Sequence, residues 1–142
     1  MNTFSVKPAI QLEVAVSNAP GSLAEIAEAL AKAGANIEGI STTTSSAQAG
    51  TAHMDHFVVD KVDVAKKALQ SLGKECSEQK MIAFQSPNQP GVIATVTKAL
   101  GDAGINIEEM YHGVTGGVCA SLFFVGVSPS DFDKAMDIAK GL

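Results

Sequence analysis

The chain is expected to adopt an α+β fold built twice, with antiparallel sheets carrying helices on one face, and three observations lead there. The first is an internal repeat. Residues 18–40 read NAPGSLAEIAEALAKAGANIEGI, and residues 88–110 read NQPGVIATVTKALGDAGINIEEM, with eleven of 23 positions identical and no gap. The second is a change of period within each copy, from the alternation of a strand to the i, i+3, i+4, i+7 spacing of a helix. The third is size: 142 residues, 46% hydrophobic and 18% charged, suffice for one ordinary domain or two very small ones.

Each copy opens with alternating apolar positions, Ile10, Leu12, Val14 and Val16 in the first and Ile82 and Phe84 in the second. A turn follows in which Pro20 or Pro90 favours a helix start, because its fixed φ and missing N–H cost nothing there. Leu23, Ile26, Ala27 and Leu30 then mark one apolar helix face, as do Ile93, Val96, Thr97 and Leu100. Gly34 and Gly104 are natural helix stops. Strands are expected over 36–43 and 51–59, with counterparts over 106–113 and 118–127, and second helices over 62–72 and 130–140. Ser22 with Glu25 has the spacing of a capping box, for which Val92 and Thr95 offer no equivalent.

The order β-α-β-β-α needs a fourth strand to complete a ferredoxin-like βαββαβ unit. After the first copy it is available in KECSEQKMIAF, but after the second the chain reaches Gly141-Leu142. A repeat of about 70 residues taken twice nearly fills the chain, so the two copies are assigned 1–72 and 73–142. Residues 75–86 are then expected to form one long strand that closes copy one and opens copy two. Residues 3–16 do the same in reverse, with Pro8 marking the break between the halves. Each copy lends a strand to the other.

The net charge of −5, the absence of arginine and a low aromatic content argue against nucleic acid. Cys76 and Cys119 match neither a disulfide framework nor a zinc spacing. The first residues lack a signal-peptide pattern, and no stretch of about 18 apolar residues is present to span a bilayer. A cytoplasmic setting, no membrane association, no cofactor and no metal are expected.

The spacing N-x-P-G, fourteen residues, then N-I, followed by two strands and a second helix, resembles the ACT domain, twice over and across nearly the full chain. The resemblance implies ferredoxin-like modules that bind small ligands, mostly amino acids, and regulate proteins of amino-acid metabolism. It further implies pairing of modules, with the ligand at the interface near the first strand–helix turn. In serine-binding members one asparagine stands two residues before the Pro and another opens the second strand. Asn18 and Asn36 match these in the first copy, and Asn88 and Asn106 in the second. A histidine that precedes the first asparagine by two residues in such sites is Val16 here, and Ser86 in the second copy.

The residue types suit an α-amino acid. Free N–H groups at a helix start take a carboxylate without arginine, and an Asn side chain offers both acceptor and donors. Gly21 and Gly91 let a backbone approach closely. The first candidate site is Asn18, Ala19, Gly21, Ser22, Leu23, Asn36 and Ile37. The second is Asn88, Gln89, Gly91, Val92, Ile93, Asn106 and Ile107. The same asparagines also serve as plain turn and cap residues, and repetition does not decide between the two roles.

Other residues point elsewhere. His53 and His56, three apart on a strand, face opposite ways and share no metal. Gly113-Val114-Thr115-Gly116-Gly117 matches no phosphate-binding spacing and reads as a turn, and the polar segment over 43–50 reads as a hairpin loop. Tyr111 and Met110 read as packing residues. No catalytic constellation is legible, so a small ferredoxin-like enzyme ranks last. A regulatory module that binds a serine-like amino acid and modulates a metabolic enzyme ranks first. An interaction subunit with a vestigial site, like the small subunit of a biosynthetic enzyme, comes second, and a homodimer is expected.

Overall fold

The computed structural model of the protein describes residues 4–44, 52–115 and 120–142. Ten elements follow in order: β1 (Ser5–Ser17), α1 (Ser22–Ala33), β2 (Ile37–Thr44), β3 (Ala52–Val59), α2 (Val62–Ser71), β4 (Cys76–Pro87), α3 (Val92–Asp102), β5 (Ile107–Thr115), β6 (Ala120–Val127) and α4 (Phe132–Lys140). The fold is α+β with two ferredoxin-like repeats, as the repeat and the alternating periods require. No helix among the described residues is long and apolar enough to cross a membrane.

The chain divides into two compact units, Ile10–Gln79 and the residues up to Ala9 together with Lys80–Leu142. In the first, the strand order is β2-β3-β1-β4, with β1 contributing from Ile10 onward and β4 up to Gln79. β1 pairs antiparallel with β3 from Gln11↔Val58 to Ser17↔Ala52, and β2 pairs antiparallel with β3 on its other side. Alternation sends Leu12, Val14 and Val16 of β1 and Phe57 and Val59 of β3 to the face that meets Ile26 and Leu30 of α1 and Ala65 and Leu69 of α2.

In the second unit the order is β1-β4-β6-β5, and the fourth strand of the repeat comes from the start of the chain. Phe4, just before β1, is buried in this core with Ile82, Phe84, Val96, Leu100, Phe123, Val125 and Met136, and Val6 packs against them. Phe84 and Phe123 stack with centroids 4.8 Å apart, and Phe4 meets them edge-on at 6.0 and 6.3 Å. The exchange of strand halves is thus present. Pro8 does not break β1, however. It is exposed on a strand that runs unbroken from Ser5 to Ser17, and the changeover between units falls after Ala9.

Both first helices end as glycine dictates. Gly34 at φ 82° and Gly104 at φ 73° take the left-handed conformation, and the next amide turns back to Leu30 O or Leu100 O. The segment over 43–50 lies, beyond Thr44, outside the described residues, as do Gly116, Gly117 and Cys119. Gly113, Val114 and Thr115 are not part of a turn: they extend β5, paired with Leu122, Ser121 and Ala120.

Candidate ligand site at the strand-to-helix turns

Four residues separate the end of β1 from the start of α1, and four separate the end of β4 from the start of α3. In both turns a glycine is the residue that caps the helix, Gly21 at φ 86° and Gly91 at φ 94°. A side chain added at either would meet nothing within 4 Å, so it is the left-handed backbone, and not packing within the protein, that calls for glycine. The capping box is absent. Ser22 already belongs to α1, and Gly21, in the cap position, has no side chain to offer the helix.

The consequence is a helix start with donors to spare. Ser22 N–H bonds to Ala19 O at 3.2 Å and Glu25 N–H to Gly21 O at 3.0 Å, which leaves the amides of Leu23 and Ala24 without a partner among the described residues. In α3, Val92 N–H bonds to Gln89 O at 3.5 Å and Thr95 N–H to Gly91 O at 2.9 Å, which leaves Ile93 and Ala94 likewise. Asn18, half-buried, and Asn88, exposed, stand in the turns that lead into these helices.

Asn36 and Asn106 stand elsewhere. β2 starts with Ile37 opposite Val59, whereas the turn after β1 lies at the Ala52 end of β3. Within one unit Asn18 and Asn36 are thus separated by the length of β3, on the order of 20 Å. Asn36 has a local role: its N–H donates to Asp60 Oδ1 at 2.8 Å and its carbonyl accepts from Asp60 N–H at 3.2 Å, tying the start of β2 to the end of β3. Asn106 stands just before β5, which opens with Ile107 opposite Val127.

The sheet below the first turn holds a group that periodicity did not single out. Asp55 pairs with Val14 on one side and Thr42 on the other, on the same face of β3 as Phe57, and it is fully buried. His53, two residues before it and so on the same face, places Nε2 3.0 Å from Asp55 Oδ1, with its side chain 15% exposed. The contact is close but not aligned as a hydrogen bond, so both carboxylate oxygens and His53 Nε2 remain unsatisfied among the described residues. Burial pushes the Asp55 carboxyl above its usual range, against the lowering effect of His53, His56 and Lys74. The signal was a His-x-Asp spacing on a strand, legible only once the inward face is known.

The corresponding position in the second unit is different. Phe123 pairs with Phe84 and His112 as Asp55 pairs with Val14 and Thr42, so Phe123 stands where Asp55 does. Ser121 stands where His53 does. Its Oγ lies 3.0 Å from His112 Nε2 and 3.4 Å from Ser86 Oγ, so this buried polar group is satisfied within the unit. On the opposite face of the first unit's sheet, His56 faces Gln11, its Nδ1 3.4 Å from the buried Gln11 amide. The two histidines do point opposite ways.

Comparison with known proteins bears on both copies. A family model described as the ACT domain matches residues 10–76 and again 80–140. A crystal structure of protein BT0572 from Bacteroides thetaiotaomicron is similar at a TM-score of 0.83 and 25% identity, over 96% of this chain and 89% of that one. The regulatory subunit of aspartate kinase from Thermus thermophilus, in its ligand-free form, shares the fold at a TM-score of 0.67 and 17% identity, over 97% and 95% of the two chains. The corresponding subunit from Thermus flavus does so at 0.63 and 16%, over 99% and 96%. No curated protein sequence matches the chain. With two matched copies, strand orders to suit and the N-P-G turn at the head of each first helix, the chain belongs to the ACT-domain family.

Proposed function

We propose that the protein is a regulatory module that binds a small amino acid, serine-like by preference, at its strand-to-helix turns and thereby modulates a partner enzyme of amino-acid metabolism in the cytoplasm. The observation that carries this reading is the pair of uncapped helix starts, where Leu23 and Ala24, or Ile93 and Ala94, present free amides to a carboxylate. Asn18, with Ala19, Gly21 and Ser22, lines the first of these starts. Asn88, with Gln89, Gly91 and Val92, lines the second. The fold shared with regulatory subunits of aspartate kinase supports the class of partner.

Asn36 with Ile37 and Asn106 with Ile107 each lie a strand's length from the turn of their own unit and do not join the site at that turn. In the expected homodimer, ligand binding acts by preferring one arrangement of the paired chains. A second reading, a subunit that works through its surface alone, draws on Ile40 and Val114, which are 43% and 53% exposed on β2 and β5 at the ends of their strand orders.

Calorimetric titration with each of the twenty amino acids separates the two readings. Saturable binding of one or two of them, abolished by Asn18→Ala or Asn88→Ala, is the expected result. Silence across the panel from a folded protein transfers the function to the surface. Light scattering that gives a single 14.6 kDa species rules out the homodimer.

A further inference from the structure

Asp55 is a carboxyl group in a place that the fold fills with a ring in its other copy. Phe123 occupies the equivalent register position and packs against Phe84 at 4.8 Å, which is what a core position there requires. An unsatisfied buried carboxylate works against folding, because its desolvation is not offset by donors. Among the described residues both of its oxygens lack a hydrogen bond, as does the neighbouring His53 Nε2. The group also sits at a particular place. Ser17, the last residue of β1, pairs with Ala52, and α1 starts after four intervening residues, so α1 begins at the end of β3 that carries His53 and Asp55. The free amides of Leu23 and Ala24 are in that first turn.

We propose that Asp55 is the counter-ion for the ammonium group of a small ligand whose carboxylate is held by the free amides at the start of α1, so that the first repeat alone selects a primary amine. The inference rests on the reading of the turn as an amino-acid site and adds which repeat is used and what recognises the amine. A zwitterion brings one charge of each sign to a place with a carboxylate at one side and a helix N-terminus at the other. His53 Nε2 stands 3.0 Å from Oδ1, the separation an ammonium nitrogen would take, and its partly exposed ring is the internal occupant that the ligand displaces by turning it outward. The second repeat has no carboxylate there, and its polar atoms, Ser86, Ser121 and His112, are already paired with one another. One ligand binds per chain.

The test titrates the wild-type protein and Asp55→Asn by calorimetry with L-serine and L-alanine, each beside its 2-hydroxy-acid counterpart, glycerate or lactate. Methylammonium and ethanolamine serve as probes with an amine and no carboxylate. The expected result is one equivalent of amino acid per chain, at least tenfold weaker binding of the hydroxy acid, and a loss of tenfold or more in Asp55→Asn without a lower melting temperature. His53→Ala, which removes the occupant and keeps the carboxylate, is expected to tighten binding. Amino-acid binding that Asp55→Asn leaves unchanged, or two equivalents per chain, overturns the inference while the amino-acid reading stands. Silence to both amino acids, with amine binding that Asp55→Asn abolishes, overturns the amino-acid reading and keeps the counter-ion. Silence to every amine overturns both, and weaker binding in His53→Ala overturns the inference.

Discussion

Asp55 and Phe4 are the residues whose removal has opposite expected signs. The folded state raises the Asp55 carboxyl above its unfolded value near 3.8, through burial. The folded chain therefore holds this proton at pH values where the unfolded chain has released it. Stability contributed by the neutral group is fully present below the unfolded pKa and is lost as pH rises through the folded one. Asp55→Asn keeps the shape and removes the charge, so it should raise stability by about 1 kcal/mol at pH 8 and by nearly nothing at pH 3.5. Melting temperatures of the two proteins at both pH values check this, and a gain that is larger in acid would contradict it. Phe4→Ala works the other way. It opens a cavity beside Phe84 and Phe123, and the expected loss is about 3 kcal/mol or more, measured by denaturant unfolding. An effect below about 1 kcal/mol would mean that Phe4 is not core.

The helix starts are where local chemistry and the candidate site coincide. Gly21 and Gly91 hold φ of 86° and 94° in open space, so alanine there strains the backbone and collides with nothing. Gly21→Ala and Gly91→Ala should each cost about 1–2 kcal/mol, read from urea midpoints. A neutral result would show that the turns relax to a conformation alanine accepts. The same turns explain what was legible in the sequence. Asn18-Ala19-Pro20-Gly21 recurs as Asn88-Gln89-Pro90-Gly91 because the backbone demands it twice, and a recurring backbone demand is visible in one chain. The long β1 and β4 were legible because a period of about 70 residues leaves no separate fourth strand after α4. Ser22 and Glu25 have the spacing of a capping box without forming one, because cap position depends on a dihedral angle that spacing does not contain. Proline in a strand pattern suggests a break, yet the exposed Pro8 costs β1 only one N–H. Asp55 stayed hidden for a related reason. His53, Asp55 and Phe57 share a face by alternation, but a strand written HMDHFVV gives no sign of which face the helices cover. The offset between β3 and β6 is also two residues shorter than that between β1 and β4, so simple alignment by 70 sets Asp55 against Val125 instead of Phe123.

The two units differ in how their chains close, and this has a consequence for the protein as a whole. Ile10–Gln79 is one unbroken stretch of chain that contains all four of its strands. The other unit is permuted: its first three strands lie after Lys80, and its fourth is the segment before Ile10. Their cores share no residue, since Leu12, Ile26, Phe57 and Leu69 belong to one and Phe4, Phe84, Leu100 and Phe123 to the other. Removing residues 1–9 therefore takes a strand and Phe4 from the second unit and nothing from the core of the first. Amide exchange on the shortened protein should show loss of protection at Ile82, Phe84 and Val125, with protection kept at Leu30, Phe57 and Leu69. A chain ended near residue 73 makes the reciprocal case, because it lacks the part of β4 that closes the first unit, and it should be unfolded or insoluble. If the shortened protein instead retains protection in both sets of amides, the N-terminal segment is an accessory strand and the second repeat holds its fold with three.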